Sequence, residues 1–242
     1  MSQVLVPVET LALIHHALRS CELFRDWPEI TLDRIARIAH LERYDRGTEV
    51  LAQDRQRREL LLVVSGCLET SGLNAGGTKF LLALLGPGDV VGLIRLLKAV
   101  PLVYNYHAHE DTMLVHLPSE ALAAILDETP LLWKDVAMLA LKRQSESIAA
   151  MQRRALGHLQ QGLAQILVQL AGWYGQPVDA GPALRLKTSQ SDLASMLSVS
   201  RQTMNKELRL LAQQGAVAAD YGSLTIRDLP LLRRIAEGAA AP

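Results

Sequence analysis

One stretch of the chain, residues 131–154, contains neither glycine nor proline and constrains the fold more than any other feature. It predicts one long helix, because glycine and proline destabilise a helix interior more than other residues do. Residues suited to a helix seam recur along it at alternating spacings of four and three: Ala137, Leu141, Gln144, Ile148 and Met151. This repeat of 3.5 residues forms a narrow stripe that suits pairing with another helix. We therefore predict a homodimer seam; the alternative is a helix that docks this stripe on its own β domain.

The sequence before this helix has the pattern of a β-rich domain. Short apolar runs between residues 44 and 117 alternate with turn signals such as Asp45-Arg46-Gly47 and Gly86-Pro87-Gly88-Asp89. Many short strands separated by such turns indicate a barrel or jelly roll. The predicted strands are residues 48–51, 60–64, 66–70, 79–84, 90–91 and 113–115. Residues 10–40 have amphipathic helical spacing, broken at Trp27-Pro28-Glu29, and the acids and proline of residues 127–130 predict the start of the long helix.

Residues 188–215 have the pattern of two short helices joined by a tight turn. Ser189 and Asp192 are spaced as a capping box, and Ser200 can cap the second helix, which we expect to end at Gly215. The second helix is predicted to bury Met204, Leu208 and Leu211 against the first. The sequence that follows, residues 217–226, predicts a two-stranded hairpin, so the whole reads as a winged helix-turn-helix.

The opposite face of that second helix carries hydrogen-bond donors and no acid. Arg201, Gln202, Asn205, Lys206 and Arg209 fall on one arc at 100° per residue. Such a face suits the base acceptors of the major groove and the flanking phosphates, whereas a merely solvated face usually mixes charges. The predicted DNA-binding residues are Ser200, Arg201, Gln202, Thr203, Asn205, Lys206 and Arg209.

Composition agrees with a DNA partner only at the C-terminal end. The 25 Lys and Arg residues balance 25 Asp and Glu, but residues 151–242 hold ten basic side chains against six acidic ones. Charges interrupt the longest apolar stretch, residues 80–106, and no leader pattern opens the chain, so we expect a cytoplasmic protein without a membrane partner.

These patterns together predict an α+β protein with three parts. The predicted order is an N-terminal double-stranded β-helix (jelly-roll) sensor domain with leading helices at residues 1–127, a dimerisation helix and hinge at 128–156, and a C-terminal winged helix-turn-helix at 157–242.

The sequence resembles the Crp/Fnr superfamily of bacterial transcription regulators over nearly its whole length. The resemblance is carried by five segments in the family's order and spacing: CELFRDWP (21–28), YDRGTEVL (44–51), LVVSG (62–66), LALLGPGDVVG (82–92) and SRQTMNKEL (200–208). It implies a sequence-specific regulator, not an enzyme, that binds two-fold symmetric DNA as a dimer, with RNA polymerase as a further expected partner. Where some members have Glu, this chain has Gln202, which pairs with adenine rather than cytosine and predicts a different half-site.

The cyclic-nucleotide site of the family is altered in this sequence. Members that bind cyclic nucleotides carry Gly-Glu and, about ten residues later, an Arg-Ser/Thr pair, which bind the ribose and the cyclic phosphate. In this sequence Leu93 follows Gly92 in place of the Glu, and Val103 and Tyr104 occupy the positions of the Arg-Ser/Thr pair. Because the charge-assisted bonds are lost, we predict that cyclic AMP is not the effector. The predicted effector pocket, suited to an apolar or aromatic ligand, comprises Gly92, Leu93, Val103, Tyr104 and Tyr106.

Other cofactors stay open as alternatives, and none is predicted outright. The two cysteines, Cys21 and Cys67, are too few for the four-cysteine iron–sulfur cluster of some members, although a thiol switch stays open. Haem is a further alternative, because seven histidines are candidate axial ligands: His15, His16, His40, His107, His109, His116 and His158. A jelly-roll metal enzyme is suggested by His107 and His109, but the downstream ligands of that class are absent, and we predict no metal.

Overall fold

The chain folds into two compact units. The computed structural model describes residues 8–51, 58–73, 79–97, 105–155, 159–178, 181–197, 199–220 and 223–238. The first unit comprises Met1–Gly72 and Ala83–Gln144, and the second comprises Leu73–Leu82 and Ser145–Pro242, each taken over its described residues.

The β-rich part of the chain begins and ends with helices. In chain order its helices are α1 (Val8–Ser20), α2 (Glu29–Ile38), α3 (Leu93–Leu97), α4 (Ser119–Glu128) and α5 (Leu132–Ala155). Its strands are β1 (His40–Tyr44), β2 (Glu49–Leu51), β3 (Glu59–Ser65), β4 (Leu68–Leu73), β5 (Lys79–Leu85), β6 (Val90–Val91), β7 (Asn105–Ala108) and β8 (Thr112–Pro118).

Eight strands form two four-stranded sheets, in the orders β1-β8-β3-β6 and β2-β7-β4-β5. Alternate side chains of β3 and β8 face opposite sides of the first sheet, so each side can bury its own apolar cluster. One cluster lies on the side of the second sheet and is the core of the β-roll: Tyr44, Val50, Leu61, Val63, Leu68, Val91, Tyr106, Ala108 and Leu114. The predicted jelly-roll class is confirmed.

The other side of the first sheet is covered by helices. Leu60, Leu62, Val115 and Leu117 of β3 and β8 belong to one buried cluster with Leu18, Leu32, Leu122 and Val136 of the helices and Phe24 of the turn between α1 and α2. Polar contacts fix these helices further. The indole Nε1 of Trp27 donates to Asp135 at 2.8 Å, and Arg34 pairs with both carboxylate oxygens of Glu128 at 2.8 and 2.9 Å.

Among the predicted boundaries in this part that are wrong, three change the assignment of an element. The strand expected from Gly66 begins at Leu68, because Gly66 has φ +84° in a turn where a Cβ would lie 2.2 Å from the Asp111 carbonyl oxygen. His40 begins β1 rather than ending a helix. The acids of residues 127–130 do not start the long helix. Asp127 and Glu128 end α4, and α5 begins only at Leu132.

The C-terminal part is a small helical assembly with its own sheet. It contains α6 (Leu159–Tyr174), β9 (Gln176–Pro177), β10 (Leu184–Leu186), α7 (Gln190–Met196), α8 (Arg201–Gln213), β11 (Val217–Asp220), β12 (Ser223–Ile226) and α9 (Leu229–Ala236). The sheet has the order β11-β12-β10-β9. Helix α6 packs against α9, and the side-chain amides of Gln161 and Gln165 donate to the Ala236 carbonyl near the end of α9. Among the described helices, none combines the length and apolar character needed to cross a membrane.

Candidate nucleic-acid interface

Helices α7 and α8 form the predicted helix-turn-helix, and both begin at the predicted caps. The Ser189 hydroxyl accepts from the Asp192 N–H at 3.1 Å, and the Asp192 carboxylate accepts from the Ser189 N–H at 3.1 Å, which confirms the capping box. The Ser200 hydroxyl accepts from the Thr203 N–H at 3.0 Å at the start of α8. Because each cap satisfies backbone donors that a helix start leaves unpaired, the two helix starts are fixed locally.

One face of α8 is anchored in the core of this part of the chain. Met204, Leu208 and Leu211 are fully buried, as predicted. Leu193 and Met196 of α7, which packs against α8, are buried too. The helix ends before Gly215, whose φ of +80° confirms the expected left-handed residue. Burial of one whole face fixes the rotation of α8 about its axis and therefore determines which side chains point outward.

The outward face holds the predicted donor arc. Arg201, Gln202, Lys206 and Arg209 are exposed, and Asn205 is half-buried. Glu207, the acid of this helix, is half-buried and lies off the arc. Ser200 and Thr203 differ from these five, because their hydroxyl oxygens lie 2.8 Å apart and both belong to the cap. The structure thus brings five donors together and gives the other two predicted residues a local structural role.

The first turn of α8 is electrostatically unusual. It contains no acidic residue, and it begins with a cation at Arg201. Helix starts carry partial positive charge, so a cation there costs stability and an anion is favoured. Such an arrangement leaves the start of α8 suited to an external anion such as a phosphate group.

The predicted hairpin follows α8 directly. Strands β11 and β12 pair antiparallel with Val217 opposite Ile226 and Asp220 opposite Ser223. Leu224 and Ile226 are buried on one face, and β12 also pairs with β10. The tip, Tyr221 and Gly222, lies outside the described residues. The sheet therefore ties the hairpin to the strand that precedes the helix-turn-helix.

Helix α5 shows two different apolar faces. Leu132, Val136 and Leu139 are buried in the helix-side cluster of the first unit. The predicted seam residues Ala137, Leu141, Gln144 and Ile148 are all exposed, and Leu141 and Ile148 are 57% and 50% exposed. Met138 is also exposed, at 57%. The fifth predicted seam residue, Met151, has a side chain that is not among those the structure describes. The alternative in which this stripe docks on the chain's own β domain is therefore wrong for the four described seam residues.

The described members of the predicted effector pocket are divided between the two apolar clusters. Leu93 begins α3 and packs against the helix-side cluster, whereas Tyr106 is buried in the β-roll core. Gly92 has φ +94°, and a Cβ there would lie 2.6 Å from the Glu59 carbonyl oxygen, so its backbone requires glycine. Val103 and Tyr104 lie outside the described residues.

Sequence reasoning missed a buried charge beside this region. Arg95 on α3 is only 1% exposed, and its carbonyl accepts from the Arg58 guanidinium at 2.9 and 3.3 Å. The only signal in the sequence is one charged residue inside the apolar run of residues 93–97. Because burying a guanidinium is costly, the position of Arg95 is strongly constrained by its surroundings.

Two family models match the sequence. A Crp-like helix-turn-helix domain matches residues 161–235, and a cyclic nucleotide-binding domain matches residues 41–129. The two matches fall on the helix-turn-helix with its hairpin and on the β-roll described above. The chain belongs to the Crp/Fnr superfamily of transcription regulators.

Relatives of known name agree with this family. The chain is 29% identical to the Cyclic AMP receptor protein of Thermus thermophilus over 197 residues, which cover 81% of this chain and 88% of that protein. It is 24% identical to a CRP-like cAMP-activated global transcriptional regulator of Mycobacterium tuberculosis, over 79% of this chain and 85% of that protein. A CRP/FNR-family regulator from Thermus thermophilus has the same fold, with a TM-score of 0.68, 24% identity and coverage of 83% of this chain and 100% of that one. The chain is therefore a DNA-binding transcription regulator of the Crp/Fnr family.

The two thiols of this Crp/Fnr regulator are poorly placed for a redox switch. Cys21 and Cys67 are both buried. Burial raises the pKa of the Cys21 thiol to about 11 and also raises the pKa of the Cys67 thiol. Because the thiolate is the reactive form, these raised pKa values oppose oxidation at neutral pH.

The histidine pair behind the metal-enzyme alternative does not form a ligand cluster. Strand β7 ends at Ala108, so His107 lies on the strand and His109 beyond it, where it is buried beside Glu69. Within the described part of the chain, groups of three close metal-ligating side chains occur at His40, Glu42 and His116 and at His15, Glu29 and Asp33. Neither group includes His107 or His109, so these two histidines do not form the metal site that the metal-enzyme alternative requires among the described residues.

Proposed function

We propose that α8 enters the major groove of a DNA half-site and binds it through Arg201, Gln202, Asn205, Lys206 and Arg209. The observation that carries the proposal is the acid-free exposed face of α8, fixed in orientation by the buried face behind it. Arg and Gln side chains there reach guanine and adenine edges, while Lys and Arg also neutralise phosphates. Ser200 and Thr203 support the interface by capping the helix that carries these side chains.

The proposed regulator is a homodimer joined along the exposed stripe of α5. Large apolar side chains left in water are costly, and Leu141 and Ile148 lie on the side of α5 away from its buried face. A second copy of α5 would cover them with the 3.5-residue repeat of a coiled coil. Such a dimer presents two recognition helices to half-sites about 34 Å apart on one face of a two-fold symmetric DNA site.

The effector of this regulator is proposed to be something other than cyclic AMP. The first acidic ligand of the family's nucleotide site is replaced by Leu93, which packs in an apolar cluster and cannot accept hydrogen bonds from ribose. The two relatives above are named as a cyclic AMP receptor protein and a cAMP-activated regulator, whereas Leu93 of this chain lacks the acceptor that the family resemblance places after Gly92. We place this regulator in the cytoplasm together with the DNA that it binds. We propose RNA polymerase as a further partner and propose no catalytic activity.

The DNA proposal is tested by fluorescence anisotropy on DNA from the regulator's own promoter region at fixed salt. Arg201→Ala combined with Lys206→Ala is expected to raise Kd at least about 30-fold, since each lost base contact is worth about 1–3 kcal/mol. Arg233→Ala with Arg234→Ala is the matched control, because it removes the same charge from exposed positions of α9. Equal losses for both variants would show a nonspecific charge effect and refute the assignment to α8.

The same assay tests the effector proposal. We expect wild-type binding to be unchanged by cyclic AMP, because Leu93 removes a ribose acceptor. Binding that depends on cyclic AMP would overturn this part while leaving the DNA assignment intact.

The dimer proposal has its own test. Ile148→Asp is expected to convert the dimer to a monomer in sedimentation velocity and to weaken DNA binding steeply, because it places paired charges in the seam. Leu131→Asp makes a similar change at an exposed leucine just before α5 and should leave the dimer intact. A dimer that survives Ile148→Asp would place the interface elsewhere.

A further inference from the structure

A group of polar side chains on one face of the first sheet belongs to strands β1, β3 and β8. His40 on β1 is directly opposite His116 on β8. Glu42 and Tyr44 follow His40 at alternate positions of β1 and so share its face. Glu59, at the start of β3, reaches His116 from the other side. We call these five residues, His40, Glu42, Tyr44, Glu59 and His116, the β1–β8 histidine cluster.

The imidazole of His116 is completely buried and fixed at both nitrogens. Its Nδ1 lies 2.8 Å from Oε2 of Glu59, and its Nε2 lies 3.0 Å from the Tyr44 hydroxyl. An ionised carboxylate only accepts hydrogen bonds, so Nδ1 carries a proton, and the lone pair of the neutral imidazole is then on Nε2, on the side of Tyr44 and Glu42. A carboxylate behind the protonated nitrogen is the arrangement that orients histidine ligands in metal sites.

Three ligand atoms converge in front of that lone pair. Atoms of His40, Glu42 and His116 lie within 4.8 Å of one another. Oε2 of Glu42 is 3.7 Å from Nε2 of His116 and 4.0 Å from Nε2 of His40. Tetrahedral zinc with bonds of about 2.0–2.2 Å holds its ligand atoms about 3.3–3.5 Å apart. Oε2 of Glu42 would therefore need to approach each of the two imidazole nitrogens by well under about 1 Å.

Two adjustments are required: the Tyr44 hydroxyl must give up its hydrogen bond to Nε2 of His116, and one of the two imidazole rings must rotate. The rings of His40 and His116 are stacked, with centroids 4.6 Å apart and planes at 20°. Nearly parallel rings cannot direct both lone pairs at one ion, so one ring must rotate. His116 is held by Glu59, whereas the His40 side chain is 46% exposed and Glu42 is 45% exposed. Binding would therefore turn His40 out of the stack and leave His116 in place.

We propose that His40, Glu42 and His116 bind a divalent transition-metal ion, with Zn²⁺ as the best match and water as the fourth ligand. Two imidazoles and one carboxylate suit zinc, and an ion held this way leaves a position open to solvent. Glu59 acts as a positioning residue that fixes the tautomer and direction of His116. The ion would link the edge strand β1 to β8 and stabilise the β-roll in proportion to its occupancy.

The other three-residue group is a weaker site and serves as an internal control. His15, Glu29 and Asp33 offer one imidazole and two carboxylates that are 64% and 47% exposed. Glu29 already pairs with Arg19, so a metal there must displace a guanidinium. Zinc bound to two imidazoles is favoured over zinc bound to one imidazole and solvated carboxylates.

The test is isothermal titration of Zn²⁺ into untagged, full-length protein that has been freed of metal with a chelator. We expect one ion per chain, and a Co²⁺ spectrum without thiolate charge transfer should exclude the two cysteines as ligands. His40→Ala and Glu42→Gln should each raise Kd at least about tenfold, and Glu59→Gln by about 10–100-fold. The variants avoid His116, because its complete burial makes it important for folding.

His15→Ala is the matched control and should leave both stoichiometry and Kd unchanged. Zinc should also raise the melting temperature of the wild type and of His15→Ala but not that of His40→Ala. Loss of binding in His15→Ala with retention in His40→Ala would overturn the proposal. So would a wild-type protein that takes up no zinc at tenfold molar excess.

Discussion

The two helices of the helix-turn-helix, α7 and α8, begin in similar ways but use their first turns differently. Helix α7 has a serine cap and an acid in the first turn, Ser189 and Asp192, which together form the capping box. Helix α8 has a serine cap at Ser200 but no acid, and its first residue is Arg201. An acid near a helix start stabilises it by about 0.3–1 kcal/mol, and a cation costs a similar amount. The first turn of α7 therefore stabilises its helix, whereas the first turn of α8 is less stable and keeps a positive charge.

The two faces of α8 explain how it tolerates that loss. Met204, Leu208 and Leu211 are held by burial, so the helix does not depend on favourable charges at its start. Fully burying an aliphatic side chain contributes about 1.5–3 kcal/mol, which exceeds the cost of a misplaced charge. Tertiary packing thus fixes the helix, and its outer face is left for recognition.

The largest expected effect is on the buried face. Leu208→Ala should lower the free energy of unfolding by about 2–5 kcal/mol, because it removes a fully packed side chain and leaves a cavity. Leu210→Ala, two residues away and 37% exposed, should change it by less than about 0.5 kcal/mol. Urea denaturation followed by circular dichroism measures both. Similar losses at the two positions would show that α8 does not have the inner and outer faces described above.

The second effect separates DNA binding from stability. Arg201→Glu should weaken DNA binding at least about 100-fold, because it replaces a cation by an anion facing phosphates. The same change should stabilise the folded protein by about 0.3–1 kcal/mol at low salt, since it places an acid at the start of α8.

Arg209→Glu is the matched control, because it makes the same change farther along the same exposed face. It should weaken DNA binding without the gain in stability. Anisotropy and thermal melts at two salt concentrations distinguish the variants. If Arg201→Glu destabilises the protein as much as it weakens binding, the first turn of α8 has a structural role instead.

Local patterns explain why the helix-turn-helix could be predicted closely. Ser189 and Asp192 are three residues apart, and the buried side chains of α8 repeat with the helical period, so both features are visible in the sequence. The same reasoning failed at α4, because Asp127 and Glu128 suit either a helix start or, as observed, the end of the preceding helix. Strands β9 and β10 were missed, because Gln176–Pro177 and Leu184–Leu186 are too short to show an alternating pattern.

Contacts between distant strands account for most of what the sequence did not predict. The five residues of the β1–β8 histidine cluster are spread from position 40 to position 116, and the pairing of β8 with both β1 and β3 brings them together. The metal alternative considered from the sequence was placed on His107 and His109, because those two are adjacent in the pattern. Similarly, the separation of Leu93 from Tyr106 into two clusters depends on which side of a sheet each one faces.

The smallest expected effect compares the two caps directly. Ser189→Ala and Ser200→Ala should each lower the free energy of unfolding by about 1 kcal/mol, because each leaves a backbone N–H without its side-chain acceptor. Their effects on DNA binding should differ. Loss of the Ser200 cap loosens the turn that carries Arg201 and Gln202, so Kd should rise several-fold, while Ser189→Ala should leave Kd unchanged in protein that is fully folded at the assay temperature. Ser189→Thr and Ser200→Thr keep an acceptor and should recover most of each loss. An equal rise in Kd for both alanine variants would mean that α7 and α8 act as one cooperative unit, and that the division of roles between them is wrong.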